Sequence, residues 1–192
     1  MAARLIVGLR NPGSRYDGTR HNLGAEVIEA IAPGQRLKRA RLGIRADVAD
    51  VRLGDTTTLI AVPRTFMNQA GTAVQPLARY YGVDMDDLLI VHDDIDLPFG
   101  KMRAQLGGGE GGHNGVRSVV ASLSTKDFWR LKIGVGRPPQ PVDPADYVLE
   151  LFRKAERAEM DDVIMRAARV AEVFATEGGE AARQRAGDLN LD

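Results

Sequence analysis

An α/β fold, with a twisted mixed and mostly parallel sheet flanked by helices, is what this 192-residue sequence predicts. Three observations carry that prediction. Apolar runs of strand length recur along the chain. Segments with helical periodicity alternate with them. Polar, glycine-containing loops follow the apolar runs, where open α/β sheets place their clefts.

The elements follow in order. Leu5, Ile6 and Val7 make a buried strand over 4–9 that breaks at Gly8. A helix is expected at 23–31. The segment 46–53 alternates through Ala46, Val48, Asp50 and Arg52, the pattern of a half-exposed strand. A strand at 57–62 precedes a helix at 68–81. Leu88 to Val91 is continuously apolar, so the strand at 87–92 is covered on both faces. A strand at 100–106, a helix at 114–123 and a strand at 130–135 complete the α/β pattern. The proline-rich stretch 137–144 reads as an exposed loop and a candidate lid. The helix at 154–176 is the clearest, because Met160, Val163, Ile164, Ala167, Val170, Ala171 and Phe174 form one apolar face. Gly178 and Gly179 offer its stop signal, and the polar tail after about residue 179 is expected to fray. All of 1–192 reads as one domain.

No apolar run reaches about 18 residues, so no membrane span is expected. The N-terminus lacks a signal-peptide pattern. The chain has no cysteine. That removes disulfides, thiolate ligands and a cysteine nucleophile, and it suits the cytoplasm. Net charge is zero, yet charge is segregated along the chain. Residues 1–45 carry nine Lys/Arg against three Asp/Glu, and 99–137 carry seven against two. The blocks 46–98 and 138–192 are acidic. Two basic blocks can form a local anion-binding face on a neutral protein.

Four polar patches follow apolar segments: Asn11 to Asn22, Phe66-Met67-Asn68, His92-Asp93-Asp94-Ile95-Asp96, and the glycine-rich run 107–115. If the strands before them run the same way, all four meet at one sheet edge. His21 is a candidate general base, or a histidine capping the next helix. In the HDDID run, alternation puts His92, Asp94 and Asp96 on one face and Asp93 on the other. Either the first three hold a divalent metal, or Asp93 alone reaches the cleft and orients His21. No third-ligand spacing supports the metal. The glycine run matches G-x-G-x-x-G, but late in the chain and without the acid that closes a dinucleotide site. Asn114 is either a helix N-cap or a ligand. The serines Ser14, Ser118, Ser122 and Ser124 lie in no G-x-S-x-G elbow. A water activated by His21 is therefore the leading hydrolytic reading.

The pieces VGLRNPGSRYDGTRHNLG (7–24), PRTFMNQAG (63–71), HDDIDLPFG (92–100), GGGEGGHNG (107–115) and RLKIGVGRP (130–138) resemble bacterial-type peptidyl-tRNA hydrolases in content, order and spacing. The resemblance implies a phosphorylase/hydrolase-like α/β fold. It also implies hydrolysis of the ester joining a peptide to the terminal ribose of tRNA, which recycles tRNA from stalled translation. No metal and no cofactor are implied, and the chain is expected to act as a monomer in the cytoplasm. By position, His21 resembles the catalytic base and Asp93 its partner. Asn11 resembles the residue that recognises N-blocked substrates, and Asn68 and Asn114 the amides that hold substrate and water. Tyr16 and Phe66 match the wall for the tRNA 3′ end or nascent peptide, and Met67 between Phe66 and Asn68 is a further candidate substrate-binding residue. Lys132 matches one member of a basic pair for the tRNA 5′-phosphate. Gln105 stands where a lysine is common, and Arg103, on the same strand face, is the candidate replacement. Arg10 replaces the family's usual glycine or other small residue, either projecting away from the cleft or adding a phosphate contact. Two alternatives remain: an RNA-binding module without turnover, and a small-molecule ester or amide hydrolase.

Overall fold

The computed structural model describes residues 4–190. In chain order the elements are β1 (Arg4–Gly8), α1 (Leu23–Ile31), β2 (Lys38–Arg39), β3 (Ala46–Leu53), β4 (Thr56–Pro63), α2 (Gly71–Tyr81), β5 (Leu88–Asp94), β6 (Met102–Leu106), α3 (Asn114–Leu123), β7 (Trp129–Gly134), α4 (Pro144–Tyr147), α5 (Lys154–Glu177) and α6 (Gly179–Asp188). The strands form one sheet in the order β2-β3-β4-β1-β5-β7-β6. Its centre, β4-β1-β5-β7, is parallel. β3 and β6 run antiparallel to their neighbours β4 and β7.

The period-2 alternation of the central strands builds two cores. Ile6, Ile60, Val62, Leu89, Val91 and Leu131 pack with residues of α1, α5 and α6. Leu5, Val7, Leu59, Ala61, Leu88 and Ile90 pack with residues of α2 and α3 on the other face. A strand covered on both faces cannot show a polar stripe, which is why Leu88 to Val91 reads as continuously apolar. Among the described residues, no helix is long and apolar enough to cross a membrane.

The short elements β2 and α4 had no counterpart in the sequence expectations, and four further departures bear on the site or the core. β5 runs on to Asp94, with Asp93 opposite Ile133 and Asp94 opposite Gly134. Backbone pairing continues past the apolar run, so the strand itself delivers these carboxylates to the edge. The expected helix at 68–81 begins at Gly71, after a separate 3-10 turn Met67–Gln69. The tail after Gly179 is not frayed: it forms α6, burying Ala182 and Ala186. Alanines give a weak periodic signal, and Gly179 lies so close to the Trp129 indole that no side chain fits. Finally, the four strands before the polar patches do not all run one way. β6 ends at Leu106, opposite Trp129 at the start of β7. The glycine-rich run therefore starts at the far edge and travels back along β7 to join the other three patches.

Two glycines let α1 dock onto the strand ends. A side chain at Gly8 would meet the Gly24 carbonyl and Ile28, and one at Gly24 would meet Val91 O and Leu9 N. Leu9 N donates to Val91 O at 3.1 Å across the same contact. This close approach sets the height of the turn that precedes α1. Gly24→Ala should overpack the contact and destabilise the fold by roughly 1–3 kcal/mol. Thermal unfolding should show the melting temperature falling by about 2–4 °C per kcal/mol. An unchanged melting temperature would show that the contact has room to spare.

Candidate functional site

A cleft of about 910 Å³ opens at the C-terminal edge of β1, β4 and β5. Its lining includes Asn11, His21, Phe66, Met67, Asn68, His92, Asp93, Asn114 and Lys132. Asn11 follows β1, the Phe66 turn follows β4, and Asp93 ends β5. His21 sits in a 3-10 turn, Arg20–Asn22, just before α1.

The centre of the cleft is a buried carboxylate. Asp93 is 1% exposed. His21 Nδ1 lies 3.0 Å from each of its oxygens, and His113 Nε2 lies 2.9 Å from Oδ1. The tautomers follow from the partners. His113 Nδ1 accepts from the N–H groups of Gly115 and Val116 at 3.1 and 3.2 Å, so its Nε2 carries the proton and donates to Asp93. His21 Nδ1–H likewise donates to Asp93, leaving Nε2 as the basic nitrogen. Burial alone would raise the Asp93 pKa, but the charges and hydrogen bonds of His21 and His113 outweigh it and hold the group well below the usual carboxylate range. Burial alone would lower the His21 pKa, but attraction and hydrogen bonding from Asp93 raise it above 6.5.

His113 is the N-cap of α3, so Asn114 is the first helical residue and its amide stays exposed at the cleft. Sequence reasoning left Asn114 open between N-cap and ligand and gave His113 no role; the structure puts the cap on His113. The available signal was that all three histidines of the chain fall in polar patches. The third, His92, turns its ring towards His113, with centroids 4.8 Å apart. His92 Nδ1–H donates to Asp93 O at 2.7 Å. Burial, then the nearby His113, lowers its pKa to about 3. The metal reading at His92, Asp94 and Asp96 is not supported. Asp94 Oδ1 accepts from Asp96 N at 2.7 Å, and Asp96 pairs with Arg137. Among the described residues, the acid and histidine atoms close enough to share an ion are those of His21, Asp93 and His113.

Asn11 is locked in one orientation. Its Oδ1 accepts from Met67 N at 2.7 Å. Its backbone N donates to Asn22 Oδ1 at 2.8 Å, and Asn22 Nδ2 donates to Asn11 O at 2.9 Å. The acceptor of Asn11 is thus engaged, and its Nδ2 donors are what it can offer the cleft. Phe66 is 52% exposed, and Tyr16 meets it edge to face at 6.4 Å, supporting Phe66 from outside the cleft lining. Asn68 is exposed at the cleft rim.

Lys132 is half-buried in the cleft wall, and Arg103 stands opposite it across the β6–β7 pair. Burial lowers the Lys132 pKa, Asp94 opposes the shift, and Arg130 and Arg103 add to it. Gln105 instead faces the buried Arg130, whose guanidinium donates to Gly109 O at 2.7 Å and Lys126 O at 3.3 Å. Arg130 thereby anchors the glycine-rich run on its return path. Arg10 projects away from the cleft: its Nε donates to Pro63 O at 3.2 Å and its Nη2 lies 3.5 Å from Asp47.

The candidate lid 137–144 leads into α4, and the residues just beyond it are tied down. α4 and the residues after it wall the cleft with Pro144, Ala145, Val148 and Leu149. His21 N donates to Val148 O at 2.8 Å. Arg20, 3% exposed, donates to the carbonyls of Tyr147 and Leu151, each at 3.2 Å, and stacks over the Tyr147 ring at 3.9 Å. A buried arginine beside the candidate base carried no sequence signal, because its partners lie more than 120 residues away.

His92 in the folded protein takes up its proton only near pH 3, whereas in the unfolded chain it does so near 6.5. The unfolded state binds more protons between those values, so stability falls as pH drops through that window. Asp93 adds its own loss only below its ordinary pKa of 3.8. His92→Asn keeps a donor for Asp93 O but does not titrate. Urea unfolding should show the variant losing less stability than the parent between pH 6.5 and pH 4, by up to about 3 kcal/mol. Parallel losses in the two proteins would remove His92 as the source.

Comparison with known proteins identifies the family that the chain resembles. The sequence model of the family described as peptidyl-tRNA hydrolase matches residues 5–190. A peptidyl-tRNA hydrolase of Mycobacterium tuberculosis is 47% identical over 189 residues, covering 94% of this chain and 95% of its own. One from Kineococcus radiotolerans is 45% identical over 192 residues, covering 95% and 96%. The crystal structure of peptidyl-tRNA hydrolase from Acinetobacter baumannii matches with a TM-score of 0.88 at 32% identity, covering 96% of this chain and 94% of that one.

Proposed function

The chain belongs to the peptidyl-tRNA hydrolase family, and we propose that it releases peptide and tRNA from peptidyl-tRNA with a water molecule activated by His21. The observation that carries this mechanism is the His21 Nδ1 contact with the buried Asp93. It fixes the tautomer in which Nε2 is the base, and it stabilises the imidazolium that forms. Water attacks the ester carbonyl carbon while His21 Nε2 takes its proton. The tetrahedral intermediate then collapses, the bond to the ribose oxygen breaks, and the imidazolium returns the proton to that oxygen. Amide donors of Asn11, Asn68 and Asn114 are available for the substrate carbonyls and the developing oxyanion.

Asn11 supplies the preference for a blocked N-terminus through donors alone. A peptide carbonyl accepts from its Nδ2, whereas a free ammonium has no acceptor to offer and must lose its water against another donor. Phe66, Met67 and, through Phe66, Tyr16 provide the apolar wall for the acceptor end or nascent peptide. Lys132 and Arg103 suit the 5′-phosphate, with Arg103 in place of the lysine that Gln105 replaces. The same reading takes 1–192 as one domain that acts as a monomer in the cytoplasm, without metal or cofactor. The absence of cysteine and the engagement of the Asp94 and Asp96 carboxylates with protein partners support it.

His21→Asn keeps an amide N–H in the place of Nδ1 for Asp93 and removes the base; it should lower kcat on N-acetyl-aminoacyl-tRNA by about 100-fold or more with the melting temperature little changed, and EDTA should leave the parent enzyme's activity intact. Retention of most activity by the variant would overturn the assignment, and loss with EDTA restored by Mg²⁺ would reinstate a metal.

Asn11→Asp keeps the acceptor for Met67 N but puts a carboxylate oxygen where the donors were. The ratio of kcat/KM for N-acetyl-aminoacyl-tRNA over free aminoacyl-tRNA should fall about tenfold or more, with part of the change a gain on the free-amine substrate. An unchanged ratio would move blocked-terminus recognition elsewhere.

A further inference from the structure

A second basic surface lies on the flank of the cleft away from Lys132. Residues 36–45 contain Arg36, Lys38, Arg39, Arg41 and Arg45 and no acid. All five side chains are exposed, and among the described residues none forms an ion pair. An ordinary solvated face mixes signs. Here the nearest carboxylate in sequence, Asp47, is already occupied by Arg10 at 3.5 Å and Arg64 at 3.2 Å. Arg10 and Arg64 therefore occupy the acid that faces Arg39 across the β2–β3 ladder.

The loop between β2 and β3 is also built to hold its place. Ala40 N donates to Ala46 O at 2.9 Å, Ile44 N to Arg41 O at 3.1 Å, and Arg64 N to Arg45 O at 2.8 Å. Ala46 stands opposite Pro63, so Arg45 lies at the exit of β4, the edge from which Phe66 and Asn68 enter the cleft. Arg39 stands opposite Asp47 one pair further along the ladder. From this loop to Lys132 on β7 the sheet crosses β4, β1 and β5, roughly 20 Å at one strand spacing per step. A ligand the size of the cleft cannot reach both basic flanks, but a folded polyanion whose end enters the cleft can.

We propose that Arg39, Arg41 and Arg45 form a second docking surface for the phosphodiester backbone of the tRNA, across the cleft from the 5′-phosphate contact. This rests on the peptidyl-tRNA hydrolase reading for the identity of the polyanion. It acts on binding and leaves the chemistry at His21 untouched.

The test is the triple variant Arg39→Gln, Arg41→Gln, Arg45→Gln in the full chain, with three readouts. Binding of uncharged tRNA is followed by fluorescence anisotropy across a salt series. Hydrolysis is followed on N-acetyl-aminoacyl-tRNA and on the same ester carried by a CCA trinucleotide. The Kd and KM for tRNA should rise about tenfold or more at 0.1 M salt, and the log–log salt slope should become shallower by about two to three. Rates on the trinucleotide ester should not change. An unchanged tRNA affinity and slope, or an equal loss on both esters, would overturn the proposal. If the parent protein hydrolyses neither ester, the hydrolase reading fails instead, and the salt slope of tRNA binding still decides the docking surface.

Discussion

A carboxylate almost fully removed from water must be paired, and that requirement organises this molecule. Asp93 is held ionised by N–H groups from two imidazoles on different elements. Losing either partner would leave a buried charge under-compensated, an arrangement proteins avoid because it costs several kcal/mol. The turn before α1 must therefore bring His21 to β5 from one face of the sheet, and the start of α3 must bring His113 from the other. The position of the cleft follows from where these three elements meet.

The means of approach differ on the two sides. On the α1 side, Gly8 and Gly24 remove the side chains that would keep the helix off the strands. Arg20 then ties the same turn to the wall made by α4 and the residues after it. On the α3 side, the glycine-rich run returns from the wrong end of an antiparallel strand, and Arg130 grips it at Gly109. His113 caps its helix and orients Asp93 with the same ring, so the start of α3 and the polarity of the site are fixed together.

Around this centre, neutral amides and charged side chains share the cleft lining. The amides of Asn11, Asn68 and Asn114 line the cleft, and the orientation of Asn11 is set by Met67 N and Asn22. Lys132 lies in one wall, while the arginines of the β2–β3 loop occupy the opposite flank. Acids share the same lining, with Asp94, Asp96 and Glu110 on the side of the cleft nearest Lys132 and Arg137. Arg10, the departure from the family pattern in the first loop, belongs to the outer layer through Asp47 and not to the chemistry.

The sequence by itself determined the α/β class, nearly all of the long elements, and which residues could do chemistry, because these depend on local periodicity and on the few residue types with the needed acid–base or amide groups. Alternation alone put Asp93 on the face opposite His92 and Asp94. What it could not determine was anything joining residues far apart in the chain. The direction of β6, the partnership of His113 with Asp93, the lock on Asn11 and the Arg20 tether each join segments without a shared local pattern. α6 escaped detection because its buried face is made of alanines. Only the tertiary structure decided these, since the energy that fixes them comes from desolvating polar groups against specific partners, and a partner across the sheet leaves no periodic trace in the chain.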